Sequence, residues 1–411
     1  MRHLSFKMMK NTFTLTFLLF IIWGCASAQE ATTSEDSLNS SASSKPVTTI
    51  GGYGNVFYQS NKNLGTSKLD LERFVLFVGH RFNSKISLFT ETEVEDAKVA
   101  GGESGGEVAI EQAYLKFNLN PNQYIVAGLF LPRVGILNEN HLPTQFNGNE
   151  RNYVETLILP STWRELGIGF YGNLTNLPLS YNVGIVNGLN SAAFEHGSGI
   201  REGRFEGRNA TGNNLAITAA LQYYVNNFRF QVSGYYGGTV GVSASKADSL
   251  GVKSGIFGTP VGIGEADLMY SNHGFSFRAL GTIISIPDAA DINKAFANNT
   301  PKEEYGAYAE VGYDLLYRNG SLNNKQLILF VRDEKLDVNA KVPANGIKDE
   351  TLNQNHVVAG LTYLPIKNVV VKADVRVIHT GQENPDLVVN SNTLAYQQNN
   401  NLINLGIGYS F

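Results

Sequence analysis

The amino-acid sequence predicts an all-β protein, a transmembrane antiparallel β-barrel of about 16 strands. Three observations lead there. The chain ends on Asn404-Leu405-Gly406-Ile407-Gly408-Tyr409-Ser410-Phe411, in which Leu405, Ile407, Tyr409 and Phe411 share one face and small or polar residues share the other. A soluble domain rarely puts its most apolar stripe at a fraying terminus, whereas a strand that closes a membrane barrel meets lipid on one side and water on the other. The last strand of a soluble sandwich is the alternative on this feature alone. Secondly, amphipathic segments of similar length recur from residue 48 onward, with short and long connections alternating. Thirdly, 42 Gly, 19 Tyr and 23 Phe accompany only 17% charged residues, a balance that suits twisted strands with aromatic girdles. Beyond the N-terminus no run approaches 18 apolar residues, so no transmembrane helix is encoded.

At the N-terminus, Arg2, Lys7 and Lys10 precede an apolar run from Phe13 to Trp23 and then Ala26-Ser27-Ala28. That is the layout of a secretory signal over residues 1–28. The run is shorter than the ~20 residues a spanning helix needs. Cys25 offers a second reading, a lipidated N-terminus, which Trp23 fits poorly. Cleavage after Ala28 leaves no cysteine, hence no disulfide, no thiolate nucleophile and no Cys-based metal site. It also removes basic residues and no acidic one from a chain with 32 Lys+Arg and 36 Asp+Glu, which argues against a nucleic-acid partner. Residues 29–47, rich in Ser and Thr, read as a disordered periplasmic leader.

Residues 48–411 form the barrel domain. Strands are read near 49–59, 69–81, 86–96, 108–119, 123–131, 163–172, 178–187, 213–225, 228–239, 258–270, 275–286, 304–317, 325–334, 355–364, 369–380 and 400–411. Most have the length needed to cross a bilayer at a tilt, about 9–11 residues. Short connections carry turn residues, as at Asn83-Ser84, Asn120-Pro121-Asn122 and Asn226-Asn227. Long ones fall near 60–68, 97–107, 132–162, 188–212, 240–257, 287–303, 335–354 and 381–399. Short periplasmic turns on one rim and long extracellular loops on the other produce this alternation.

Side-chain parity predicts a wet interior. In 228–236, Phe228, Phe230, Val232 and Tyr236 face lipid while Arg229, Gln231, Ser233 and Tyr235 face the lumen. A charge facing lipid at mid-depth costs about 2–4 kcal/mol for Arg or Lys, so charges of one consistent parity belong inside. Some residues fit less cleanly. Leu280, Ile284, Ile328 and Phe330 fall inward, and Asp70, Glu72 and His80 fall outward. The inward apolar residues require something to pack on, such as an infolded loop.

The third long loop, 132–162, is the longest connection and carries Arg133, Glu139, His141, Glu150, Arg151 and Glu155 among asparagines. A loop left in water would not need Val134, Ile136, Leu137, Phe146, Leu157 and Ile158; these want a surface, and the barrel wall supplies one. The loop is therefore read as a constriction, with Arg133 and Arg151 set against Glu139, Glu150 and Glu155. An external lid, or a loop that only stabilises a trimer, is the alternative.

Several segments resemble a porin family common in the Bacteroidetes. They are 71–82, 89–95, Glu111-Gln112-Ala113-Tyr114-Leu115, and above all 127–141 continuing to Asn149-Glu150-Arg151-Asn152 and Trp163. That family is similar to the phosphate-selective porin O and P superfamily. The resemblance implies a sixteen-stranded outer-membrane channel of a Gram-negative bacterium, usually a homotrimer. It covers about residues 50–175; the remainder carries only generic barrel patterning.

On parity, the lumen wall offers Arg73, Arg81, Lys116, Arg229, Arg278, Arg332, Lys372 and Arg376 against Glu91, Glu93, Glu95, Glu265, Asp267, Glu310, Asp314 and Asp374. A phosphate channel should carry an uncompensated basic ladder, and none is legible. Weak selectivity among small hydrophilic solutes or ions is the expectation. The row Glu91, Glu93 and Glu95 reads as solvated wall paired with Arg, with divalent-cation binding as the alternative. No catalytic, metal or cofactor motif is found: Gly101-Gly102-Glu103-Ser104-Gly105-Gly106 lacks the Lys of a phosphate-binding loop, and no Gly-x-Ser-x-Gly is present. The reading is a passive channel, not an enzyme. It sits in outer-membrane lipid and is handed to barrel-assembly machinery through the closing strand with Tyr409 and Phe411. A blocked barrel serving as adhesin, anchor or barrel enzyme is the alternative.

Overall fold

The computed structural model describes residues 45–95, 107–318, 325–384 and 397–411. The expected signal segment, nearly all of the leader, and the glycine-rich stretch at 101–106 lie outside them. Sixteen strands alternate in direction: β1 (Val47–Asn61), β2 (Thr66–Arg81), β3 (Ile86–Glu95), β4 (Glu107–Asn120), β5 (Gln123–Phe130), β6 (Glu165–Asn173), β7 (Leu179–Asn187) and β8 (Leu215–Val225). They continue with β9 (Phe228–Gly237), β10 (Val261–Asn272), β11 (Phe275–Ser285), β12 (Glu303–Asp314), β13 (Gln326–Lys341), β14 (Asn353–Ile366), β15 (Val369–Thr380) and β16 (Asn399–Ser410). Each strand pairs with its sequence neighbours, and β16 pairs with β1, so the sheet closes on itself. Closure leaves no edge, which is what a spanning sheet requires in hydrocarbon. Among the described residues no helix is long and apolar enough to cross a membrane.

Alternation sorts the side chains as read. Val232, Ile283, Val331, Val375, Leu405 and Ile407 are exposed on the outer face, while Gln231, Thr282, Arg332, Asp374 and Asn404 are buried inside. The terminus closes the ring: Phe411 N–H donates to Gly52 O (2.9 Å) and Gly52 N–H to Phe411 O (3.0 Å), with the Phe411 ring exposed outward.

Of the register shifts in the sheet, two bear on the site. Asn55 faces Arg73 and Val56 faces Leu71, leaving Glu72 unpaired. Before that bulge Leu69 and Leu71 point out, so Asp70 lies on the inner side, correcting the outward reading. Glu91 faces Gln112 and Thr92 faces Ile110, leaving Glu111 as the extra residue of β4. Glu111 is thereby turned inward and fully buried, although strict alternation would send it to lipid.

Two connections depart from the expected lengths. Between β1 and β2 only residues 62–65 remain, because Asn61 Oδ1 accepts from Asn63 N–H (3.1 Å) and Leu64 N–H (3.0 Å) and Gly65 takes φ 64°. β13 extends past the expected stop at 334 to Lys341. Two helices unread in the sequence lie in long loops, α1 (Ala244–Leu250) and α2 (Ala289–Phe296). Ser243 caps α1 by accepting from Lys246 N–H, and Gly251 ends it in the left-handed region.

The third loop, 131–164, lies inside the barrel. Its Val134, Ile136, Val154, Ile158, Leu159 and Trp163 join wall residues Phe89, Tyr114, Tyr235, Leu280 and Ile284 in one buried apolar cluster. The inward apolar residues that looked anomalous therefore have partners: Leu280 and Ile284 in that cluster, and Phe330 beside Gly148. The hydrophobic core of this protein sits within its barrel.

Candidate functional site

The site is the seam where the third loop meets the lumen wall. A short π-helical turn, Val154–Ile158, holds the loop's folded centre. Its Glu155 is buried and accepts from Ile136 N–H (2.6 Å), Leu137 N–H (2.7 Å), Asn152 Nδ2 (2.9 Å) and the Tyr308 hydroxyl (2.9 Å). Burial pushes the Glu155 carboxyl above the ordinary range even though these bonds oppose the shift. Glu155 thus organises the loop and anchors it to β12.

From this centre the loop reaches most of the wall. Gln145 O accepts from Arg278 (2.6 Å) on β11, and Asn147 donates to Glu310 (2.9 Å) on β12. Asn149 donates through backbone (2.8 Å) and side chain (2.6 Å) to Asp374 on β15. Tyr153 N–H donates to Glu334 (2.6 Å) on β13. Arg376, fully buried, meets Glu150 (3.3 Å) and Glu334 (3.4 Å), and its guanidinium lies 4.1 Å from the Tyr153 ring centre. Lys372 lies 3.8 Å from the centre of the Phe146 ring. These contacts satisfy buried charges that would otherwise be costly.

The charged residues fall into two groups. Arg133 pairs with Glu139, which also meets Arg229 (3.4 Å); Arg229 reaches Asp267 at 2.6 Å. Lys116 lies 4.0 Å from the Tyr124 ring centre. The side chains of Arg133, Glu139 and Glu150 keep 18%, 25% and 19% exposure, so they meet water inside the barrel. His141, Arg151 and Glu155 are buried instead and face protein. Burial and the neighbouring Arg73 push the Arg151 guanidinium below its ordinary pKa, and its Nη2 donates to His141 O (3.4 Å).

On β2 and β3, Arg73 pairs with Glu72 (2.9 Å), Glu93 (3.3 Å) and Glu95 (3.5 Å). Glu91 takes other partners, Gln112 (2.7 Å) and His141 (3.6 Å). Arg81 is buried on the inner side.

No family model matches the chain. An uncharacterized protein of Aquifex aeolicus (strain VF5) is 31% identical over 343 residues, spanning 80% of this chain and 75% of that protein. This chain belongs to that protein's family. Among solved structures, the outer membrane channel DcaP of Acinetobacter baumannii superposes with a TM-score of 0.55 at 12% identity, covering 89% of this chain and 97% of that one. A loop-deletion mutant of OmpT, an outer membrane protein of Vibrio cholerae, gives 0.53 at 9% identity, with 89% and 99% covered. OmpF of Salmonella typhi gives 0.51 at 14%, with 89% and 97% covered. These likenesses are of fold.

Several residues of the seam escaped the sequence reading, among them Glu334, Tyr308, Tyr153, Glu111 and Tyr53. Glu111 was hidden by the bulge that turns it inward. Tyr53 donates to Glu111 (3.3 Å), and nothing in its own strand marks it off from other aromatics. The odd-even pattern of Val108, Ile110, Ala113 and Leu115, which changes phase across Glu111-Gln112, was the available signal.

Proposed function

We propose that the protein is an outer-membrane channel through which small hydrophilic solutes or ions diffuse passively, narrowed by its third loop. The observation that carries this reading is the loop's position. It lies within a closed barrel and brings Arg133, Glu139 and Glu150, still touched by water, against wall charges Arg229, Asp267 and Arg376. Charged groups of both signs at a narrowing tune which solutes pass. The apolar outer face supports residence in lipid, and the likeness in fold to an outer membrane protein and an outer membrane channel supports the location. Transport down a gradient needs no cofactor and no covalent step. Assembly as a homotrimer, and entry into the membrane through the closing strand with Tyr409 and Phe411, belong to this proposal.

Selectivity in the proposal is weak. The basic wall residues Arg73, Arg229, Arg332 and Arg376 each pair with a carboxylate, so none stands as a free rung for phosphate. The resemblance to phosphate-selective porins therefore extends to architecture in this reading, with phosphate as the finer possibility to test.

A second reading, a barrel blocked by its own loop, is favoured by one observation: residues 132–163 are all buried or only partly exposed, and the lumen holds a large apolar cluster. Planar-bilayer recording decides between the two. The channel reading expects small ohmic steps from purified protein; protein that inserts and passes no current would establish the blocked barrel.

A further inference from the structure

Where β3, β4 and the third loop meet, three potential metal ligands converge. Glu91, Glu111 and His141 are all buried, and one ligand atom from each lies within 4.8 Å of the others. Each of these side chains has its other polar atom already held. Gln112 Nε2 donates to Glu91 Oε2 at 2.7 Å. The Tyr53 hydroxyl donates to Glu111 Oε2 at 3.3 Å. His141 Nδ1 lies 3.3 Å from Asn138 O, so an N–H there donates to the carbonyl and leaves Nε2 facing Glu91 Oε1 at 3.6 Å. Glu111 Oε1 is left over: the residue is fully buried, and this oxygen has no hydrogen-bond partner among the described residues.

A buried carboxylate oxygen without a donor costs roughly 1–3 kcal/mol or more, so a partner there would stabilise the fold. The charge count points the same way. Glu72, Glu91, Glu93, Glu95 and Glu111 gather around three guanidinium groups, Arg73, Arg151 and Arg164. The local excess is negative even with His141 protonated. A divalent cation would supply the missing partner and offset that excess.

We propose that Glu91, Glu111 and His141 bind a first-row divalent cation, Zn2+ in the first instance, which clips the third loop to the wall. One imidazole with two carboxylates is a donor set that suits Zn2+ and its neighbours better than Ca2+ or Mg2+, which prefer oxygen alone. Gln112, Tyr53 and Asn138 serve as the outer partners that orient the ligands. The ion enters as the loop docks, because the finished site is closed to solvent. The site stands whether or not the barrel conducts.

The test is to refold the full-length protein in detergent with ZnCl2 or with EDTA, remove loose metal, and measure bound zinc. About one ion per chain is expected, and Glu111→Gln and His141→Gln should each lose it. Refolding with Co2+ should give visible d–d bands that both variants lack. A wild type that keeps no metal overturns the proposal, as do variants that keep as much as the wild type. Should the variants fail to fold, the wild type alone decides. Its heat-induced loss of the folded band in gel electrophoresis must move to higher temperature with Zn2+ than with EDTA, since a ligand for the native state stabilises it. No difference overturns the proposal.

Discussion

Replacing Glu155 by alanine would strip the acceptors from Ile136 N–H, Leu137 N–H and the Tyr308 hydroxyl at once. Each buried orphan costs about 1–3 kcal/mol, so the loop should loosen while the strands, which pair through their backbones, stay closed. The expected result is noisier and larger single-channel current with an unchanged β signal in circular dichroism; current identical to wild type would show that the loop does not depend on this carboxylate. Asp349 makes a different prediction. Its Oδ2 meets His196 Nε2 (2.9 Å), joining the loop after β7 to the one after β13. Burial works to raise the Asp349 carboxyl, but hydrogen bonds from His196 and Thr351 prevail and hold it below the ordinary value. A carboxylate depressed in the folded state contributes stability that is complete above its unfolded pKa and is lost as pH falls through the folded one. The latch should hold at neutral pH and open only in acid below the ordinary aspartate range. Hydrogen exchange of residues 188–214 checks it, with Asp349→Asn expected to exchange fast at every pH.

At the scale of elements, β5 depends on Gly128. Its φ is 138°, and a Cβ there would lie 2.3 Å from Ala113 O on β4. Gly128→Ala must both adopt a backbone foreign to L-residues and push two paired strands apart, at roughly 1–3 kcal/mol for the backbone alone. The temperature at which the folded band is lost on a gel should fall clearly below that of wild type; an unchanged temperature would mean that β5 relaxes freely. The bulges belong to this scale too. An extra residue costs one ladder position, yet it lets Glu111 and Gln112, adjacent in sequence, serve the same side of the sheet. The third loop is an element in its own right: fastened to β11, β12, β13 and β15, it behaves as an inner layer of the protein.

For the molecule as a whole, the prediction concerns sign. Because most of the lumen's guanidinium groups are paired with carboxylates, a salt gradient across a bilayer should give a reversal potential close to that of unselective diffusion. Strong anion preference with block by phosphate would mean that water-exposed cations such as Arg133 act free of their partners. The same pairing explains how a barrel can hold a packed interior: a guanidinium that leaves water is met by carboxylates, as Arg332 is by Glu310 (3.1 Å) and Glu334 (2.8 Å), or, at Arg151, by a backbone carbonyl.

The period-two pattern by itself determined the barrel, its sixteen strands and the end at which they close, because a sheet with lipid on one side and a polar lumen on the other must alternate at every residue. Apolar residues within 132–162 favoured a place inside the barrel, where the wall offers them a surface, and the structure decided it over an external lid. Only the tertiary structure decided what the loop touches. Glu155 and Glu150 look alike in sequence, yet one is enclosed as an acceptor for the loop's own amides and the other keeps contact with water. Glu111 shows the reason most plainly. A single bulge turns its side chain from lipid to lumen, and bulges arise from pairing between strands, which local spacing along one strand does not record.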